Sequence, residues 1–207
     1  MNNLYKFLIF LSLLLSGCKS KQVFESKLIQ KINSLDMNIY SNEGKKIFTI
    51  ESPESNYNIQ NNTFHLKETT INLYNNNSRK YIINSEESRL SNNNKRVELE
   101  GNVELLTLDE DDETIYADRF IWNIEDSIYL LKGNVKFENN TIILSSNKAI
   151  LNKNNIIEFF NPVKYIIKND NNENSYEINS ENAFYNIKTN SVNFESKNEQ
   201  IRSKIYF

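Results

Sequence analysis

Between Phe48 and Ser196 one pattern is written five times. Its clearest copy is Thr114 to Phe137, TIYADRFIWNIEDSIYLLKGNVKF. Each copy has a small residue near its start: Ser52, Ser85, Ala117, Ser146 and Ser180. Two residues earlier stands an aliphatic side chain: Ile50, Ile83, Ile115, Leu144 and Ile178. Five residues later stands a large apolar one: Tyr57, Leu90, Trp122, Leu151 and Tyr185. A polar turn follows, then an apolar pair: Phe64/Leu66, Val97/Leu99, Tyr129/Leu131, Ile157/Phe159 and Val192/Phe194. The small residues recur every 29 to 34 positions. A period near thirty marks a repeat whose units bury their apolar faces on their neighbours.

Alternation inside each unit is by twos. Tyr129, Leu131, Gly133, Val135 and Phe137 share one face, with Lys132, Asn134 and Lys136 between them. Aromatic and β-branched residues dominate, so the units are strands. A kink residue follows the apolar pair in four copies: Gly101, Gly133, Asn161 and Ser196. A glycine inside a strand marks a bulge or a bend. Bends at one height in successive layers fold every layer at the same place, and Pro162 fits there. The expectation is an all-β domain, residues 37–207: antiparallel strands stacked in an open, V-shaped, twisted jelly roll of about five repeats of ~32 residues. A first hairpin is expected over Asn38 to Ile50, turning at Asn42-Glu43-Gly44. Asn198 to Phe207 reads as a terminal strand, either closing the domain or kept as an edge for a partner.

Residues 1–17 read as a signal peptide. Lys6 supplies the positive start, and Phe7 to Leu15 is an apolar run too short to span a bilayer of about 30 Å. It ends in Leu15-Ser16-Gly17-Cys18, which resembles the lipobox of bacterial lipoproteins. Cys18 is the single cysteine, so it cannot form an intramolecular disulfide; lipid attachment at Cys18 is expected. Residues 18–36 then form a tether. Phe24, Leu28, Ile32 and Leu35 have helical spacing there, which suits a weak amphipathic helix as well as a flexible linker.

Catalytic chemistry has little to work with. The single histidine, His65, alternates onto the polar face beside Phe64 and Leu66. With it and an acylated cysteine there is no Cys/His pair, no strong Ser-His-Asp triad and no zinc cluster; no cofactor and no metal are expected. Asp109 to Glu113 lacks the glycine and later glutamate of a calcium loop and reads as a solvated hairpin tip. Asp118 follows the small residue where other copies have Pro53, Glu86, Asn147 and Glu181, which assigns it to turn chemistry. A net charge of −3 without a basic run argues against nucleic acid.

The lipobox, the tether, the hairpin IYSNEGKKIFTIES and the repeats of the form I-Y-A-D, W-N, L-L-K-G-N-V-K-F together resemble the LptC-type lipopolysaccharide-export proteins of the OstA-like jelly-roll superfamily. The resemblance covers Asn38 to Phe207. It implies a periplasmic, membrane-anchored protein that accepts lipopolysaccharide from an inner-membrane ABC transporter and passes it to another jelly-roll protein through edge-strand pairing. The usual anchor of that family is a transmembrane helix, so Cys18 is a departure; the family favours the inner membrane for it, with the outer membrane as the alternative. Independently of the resemblance, an open V offers an apolar groove, and each buried CH₂ contributes about 0.8 kcal/mol without fixing direction. The candidate acyl-chain groove comprises Ile50, Tyr57, Ile83, Leu90, Leu99, Ile115, Trp122, Leu131, Leu144, Leu151, Phe159, Ile178 and Tyr185. For any one of them plain core is the favoured reading; at Ile115, Trp122 and Leu131, in the middle layer, the groove is favoured. The alternative is an envelope scaffold of the same fold that carries no lipid.

Overall fold

A computed structural model describes residues 28–206 apart from 76, 92, 94, 109–112, 127, 170, 172 and 199. The signal peptide, Cys18 and most of the tether lie outside the described residues. Twelve strands follow one another in a single antiparallel sheet: β1 Ile29–Tyr40, β2 Lys46–Asn58, β3 Thr63–Asn75, β4 Ser78–Ser91, β5 Arg96–Thr107, β6 Thr114–Asn123, β7 Ile128–Glu138, β8 Ile142–Leu151, β9 Ile156–Lys168, β10 Asn174–Asn186, β11 Ser191–Glu195 and β12 Arg202–Ile205. Each strand from β1 to β11 pairs with the next, and β12 returns to β10. The fold is all-β, and none of the described residues lies in a helix.

Nearly every strand is broken at the same height. Pairing skips Ser34 and Pro53, Glu68 and Glu86, Gly101 and Asp118, Gly133 and Asn147, and Pro162 and Glu181. Gly101 and Gly133 sit at φ of 77° and 72°, and the side-chain-bearing Ser34, Glu68, Asn102 and Asn134 also take positive φ. This line of bulges is the bend that the kink residues foretell. It divides the sheet into two halves.

The halves face each other. Phe48, on one side of the bend, meets Trp122, on the other, with ring centroids 5.2 Å apart. Phe137 meets Tyr185 at 4.4 Å and Tyr165 meets Phe194 at 5.3 Å in the same way. These partners are two to four strands apart along the sheet, as the twist of a folded sheet requires. The small-residue column lies on the inner side of the bend, where the halves converge. Ser52, Ser146 and Ser180 each donate a hydroxyl hydrogen to the carbonyl two residues on, at 2.7–2.9 Å, bridging their own bulge. Ser52, Ser85, Ala117 and Ser146 are buried.

Strand β1 begins at Ile29, inside the segment read as tether. The helical spacing of Ile32 and Leu35 has a β explanation: Ser34, at φ of 58°, is a bulge. One extra residue turns a period of two into a separation of three, so Ile32 and Leu35 lie opposite the inward Ser55 and Ser52. The terminal segment forms the short β12 on the Tyr176 to Asn179 part of β10.

Candidate functional site

The candidate site is the interior between the halves, and cross-strand register builds it. One row crosses ten strands as Met37, Ile50, Ile71, Ile83, Leu105, Ile115, Phe137, Leu144, Tyr165 and Ile178, each directly opposite the next. Across the bend a second row runs Tyr57, Phe64, Leu90, Val97, Trp122, Tyr129, Leu151, Ile157, Tyr185 and Val192. Between that row and the bend a third runs Ser55, Leu66, Ser88, Leu99, Phe120, Leu131, Ala149, Phe159, Ala183 and Phe194. Small residues interrupt this last row, where the halves are closest.

All thirteen candidate groove residues fall in these rows. Ile50, Ile83, Ile115, Leu144 and Ile178 belong to the first, Tyr57, Leu90, Trp122, Leu151 and Tyr185 to the second, and Leu99, Leu131 and Phe159 to the third. Tyr57 and Ile178, near the ends of the stack, are partly exposed; the other eleven are buried, at 3% exposure or less. The interior is therefore packed along its middle. In the first row the sequence columns caught alternate strands only, β2, β4, β6, β8 and β10. Ile71, Leu105, Phe137 and Tyr165 complete the first row from the intervening strands, and their own two-residue alternation was the signal for them.

Trp122 carries an unusual feature: its indole Nε1 is buried without a hydrogen-bond partner among the described residues. A buried donor left unmatched costs about 1–3 kcal/mol.

Opposite the bend, the free ends of the two halves meet along a seam. Side chains close it. Lys80, at the start of β4, donates to Asn155 in the β8–β9 turn, and the Tyr81 hydroxyl donates to the same amide oxygen at 3.4 Å. Further along, the Tyr185 hydroxyl donates to Glu113 Oε1 at 2.6 Å. Among the described residues no strand pairing joins the halves across this seam; the sheet neighbours are those of the chain order and β12 on β10. Beside the Lys80 clasp a cavity of about 260 Å³ opens against Leu73, Tyr81 and Tyr129. Burial pushes the Tyr129 hydroxyl above its ordinary pKa, so it stays a neutral donor.

Both ends of the stack are edges. The inward residues of β1, namely Ile32, Leu35, Met37 and Ile39, are only half-buried, and so are Val192 and Phe194 of β11. Ile201 and Ile205 are exposed at 50% and 58%.

A family model described as lipopolysaccharide-assembly, LptC-related, matches residues 9–152. No curated protein matches the sequence. Among solved structures the chain is similar to LptH of Pseudomonas aeruginosa, described as the LptA-homologous periplasmic component of the conserved lipopolysaccharide transport device. That similarity has 9% identity and a TM-score of 0.44, and covers 77% of this chain and 94% of that one.

Proposed function

We propose that this chain, which belongs to the LptC-related lipopolysaccharide-assembly family, is a lipid-anchored periplasmic link in lipopolysaccharide export. It takes acyl chains between the halves of its folded sheet. The observation that carries this is the pairing of a continuous apolar interior with a seam closed by side chains. Three rows of inward, mainly apolar residues run from strand to strand. Separating the halves at the seam breaks side-chain contacts and no strand ladder, so the interior is reachable from the side along its length. Apolar attraction holds a chain firmly yet lets it slide. The unmatched Trp122 N–H would gain an acceptor from the ester or hydroxyl oxygen of such a cargo.

The two edges suit a bridge. An unpaired edge strand is a template for another sheet. The β1 edge is the nearer one, along the chain, to an anchor at Cys18, and would face the inner-membrane ABC transporter. The β11/β12 end would face the next jelly-roll protein. Cys18 would hold the domain to a membrane by acyl chains. Net movement of cargo needs energy from that transporter.

A photo-crosslinking side chain at position 122 or 131 tests cargo carriage in cells. Labelled lipopolysaccharide adducts are expected there; their absence at every inward position would sink the proposal. The alternative, a scaffold without lipid cargo, draws on the packing of the same rows. It expects no adduct, and surface lipopolysaccharide unchanged when the protein is depleted.

A further inference from the structure

The outer face of the bend carries two charged rows that the strand register assembles. On one side of the bend, Glu54, Lys67, Glu87, Glu100, Arg119, Lys132 and Lys148 stand opposite one another in turn from β2 to β8. On the other side Glu51 and Glu104 precede Lys136 and Lys164, in a second row that runs from β2 to β9. The first row changes from mainly acidic to basic between β5 and β6, and the second between β5 and β7, with Tyr116 between.

Internal pairing accounts for Arg119, Lys136 and Lys164 but not for Lys132 and Lys148. Lys132 lies directly opposite both Arg119 and Lys148, and like charges placed so are destabilising. Arg119 is engaged by Glu98 and Glu100 at 2.8 and 3.0 Å. Lys136 pairs with Glu138 at 2.5 Å and Lys164 with Glu177 at 3.0 Å. Lys132 and Lys148, both exposed, form no ion pair among the described residues. Lys148 Nζ lies 4.6 Å from the centre of the Phe160 ring. On the bend itself a groove of about 490 Å³ is lined by Asn134, Lys136, Ser145, Asn147 and Lys164 among others; Lys132 and Lys148 do not line it but stand two residues and one residue from its Asn134 and Asn147 along β7 and β8. It offers the Asn147 amide and the Ser145 hydroxyl beside cationic heads, while the Asn134 amide is held by the Asp118 carboxylate at 2.9 Å.

We propose that this groove and its lysines form an anion site for phosphoryl groups, on the outer face of the bend and separate from the apolar interior. A doubly charged phosphate has enough acceptor oxygens to bridge Lys132 and Lys148 to the groove's amides, and it removes the repulsion between neighbouring cations. The acidic rows over β2 to β5 repel the same ligand, so binding is confined to β6 to β9. The chemistry is shared by a phosphorylated lipid headgroup and by free phosphate or pyrophosphate.

The test uses the full chain in uncharged detergent, titrated calorimetrically with inorganic pyrophosphate and separately with a short-chain phosphatidic acid below its micelle concentration. Saturable binding is expected, weakening as salt rises. Lys132→Glu with Lys148→Glu should weaken it at least tenfold, and so should Lys136→Gln with Lys164→Gln, while Lys188→Glu in the β10–β11 turn should not change it. Circular dichroism of each variant checks folding, and the two pairs are independent tests. Tighter binding of the lipid assigns a headgroup; equal binding assigns free phosphate. No saturable binding of either probe, or binding unchanged in both lysine pairs, would overturn the proposal. Neither probe contains lipopolysaccharide, so the outcome is separate from that of cargo carriage.

Discussion

Tyr185 and Glu113 are separated by 72 residues, and the Tyr185 hydroxyl donates to the Glu113 carboxylate at 2.6 Å. Both side chains are buried, at the point where the β10 end of one half meets the β5–β6 connection of the other. A hydrogen bond to a carboxylate contributes about 1.5–3 kcal/mol, more than a neutral one. Tyr185→Phe keeps the ring against Phe137 and deletes the hydroxyl, which lies within hydrogen-bond reach of Asn190 Oδ1 at 2.9 Å as well as of Glu113. It should lower unfolding free energy by about 2 kcal/mol in urea titration. Tyr206→Phe removes the exposed contact with Glu177 and should cost less than about 0.5 kcal/mol. Equal effects would mean that the seam contact is no firmer than a surface one.

Trp122 separates packing from cargo contact. Trp122→Ala empties a buried site against Phe48 and Tyr129 and should cost about 3–5 kcal/mol. Trp122→Phe keeps most of the volume and removes the unmatched N–H, so its cost should stay below about 1.5 kcal/mol. If that N–H serves cargo, the Phe variant should retain its melting temperature yet lose lipopolysaccharide transfer. Full complementation by a stable Phe variant would assign Trp122 to packing alone.

At the bend, Asp118 lies over Gly133, and a Cβ at Gly133 would overlap its carboxylate. The Asn134 amide donates to the same carboxylate at 2.9 Å. Gly44, in the β1–β2 turn, has a similar φ but open space around it. Gly44→Ala therefore isolates the backbone strain, at about 1 kcal/mol, whereas Gly133→Ala adds the overlap and should cost clearly more. Removing the carboxylate by Asp118→Ala should recover part of the difference, because the Cβ at position 118, 2.9 Å from the added one, remains. A double-mutant cycle in urea measures this coupling, expected at about 0.5–3 kcal/mol.

How far the fold could be read from sequence depends on which period each feature obeys. Ile115, Trp122 and Leu131 were found because inward residues repeat both within a strand and between layers. Asp118 was assigned to turn chemistry because it stood between Ala117 and the next strand face, and it does sit at the bend. β1 was obscured because the bulge at Ser34 spaces Ile32 and Leu35 like a helix. The basic rows were invisible: Arg119, Lys132, Lys148 and Lys164 are scattered through 46 positions, and only the register places them side by side. Packing of the interior was not legible either, since alternation names the face that turns inward and not how tightly two faces close.

Glu98 gives a pH signature. The hydrogen bond from Arg96 at 2.6 Å, with a second from Arg119 at 2.8 Å, holds its carboxyl below the usual range against the opposing effect of burial. A carboxylate with a depressed folded-state pKa adds stability above its unfolded value, and that stability is lost as pH falls through the folded one. The gap between wild type and Glu98→Gln should therefore be constant from neutral pH down to about 5, then shrink below the unfolded carboxylate pKa of 4.5. It should vanish once Glu98 is protonated in the folded state. A gap that grows on acidification would show that Arg96 and Arg119 do not stabilise the ionised form.

The seam itself can be locked. Lys80 and Asn155 meet across it, whereas the bend joins the halves covalently on the opposite side. Lys80→Cys with Asn155→Cys, bridged by a short bismaleimide linker that contains a cleavable disulfide, ties the free ends together without filling the interior. If acyl chains pass between parted halves, the bridged protein should remain folded by circular dichroism. It should lose lipopolysaccharide adducts from a photo-crosslinker at position 131 and regain them when the linker is reduced. The same linker between Glu86→Cys and Asn102→Cys, which meet at the bend, should leave adduct formation intact. Undiminished adducts in the seam-locked protein would mean that cargo enters at the ends of the stack, past the half-buried Met37 or Phe194, and that the side-chain clasps serve stability alone.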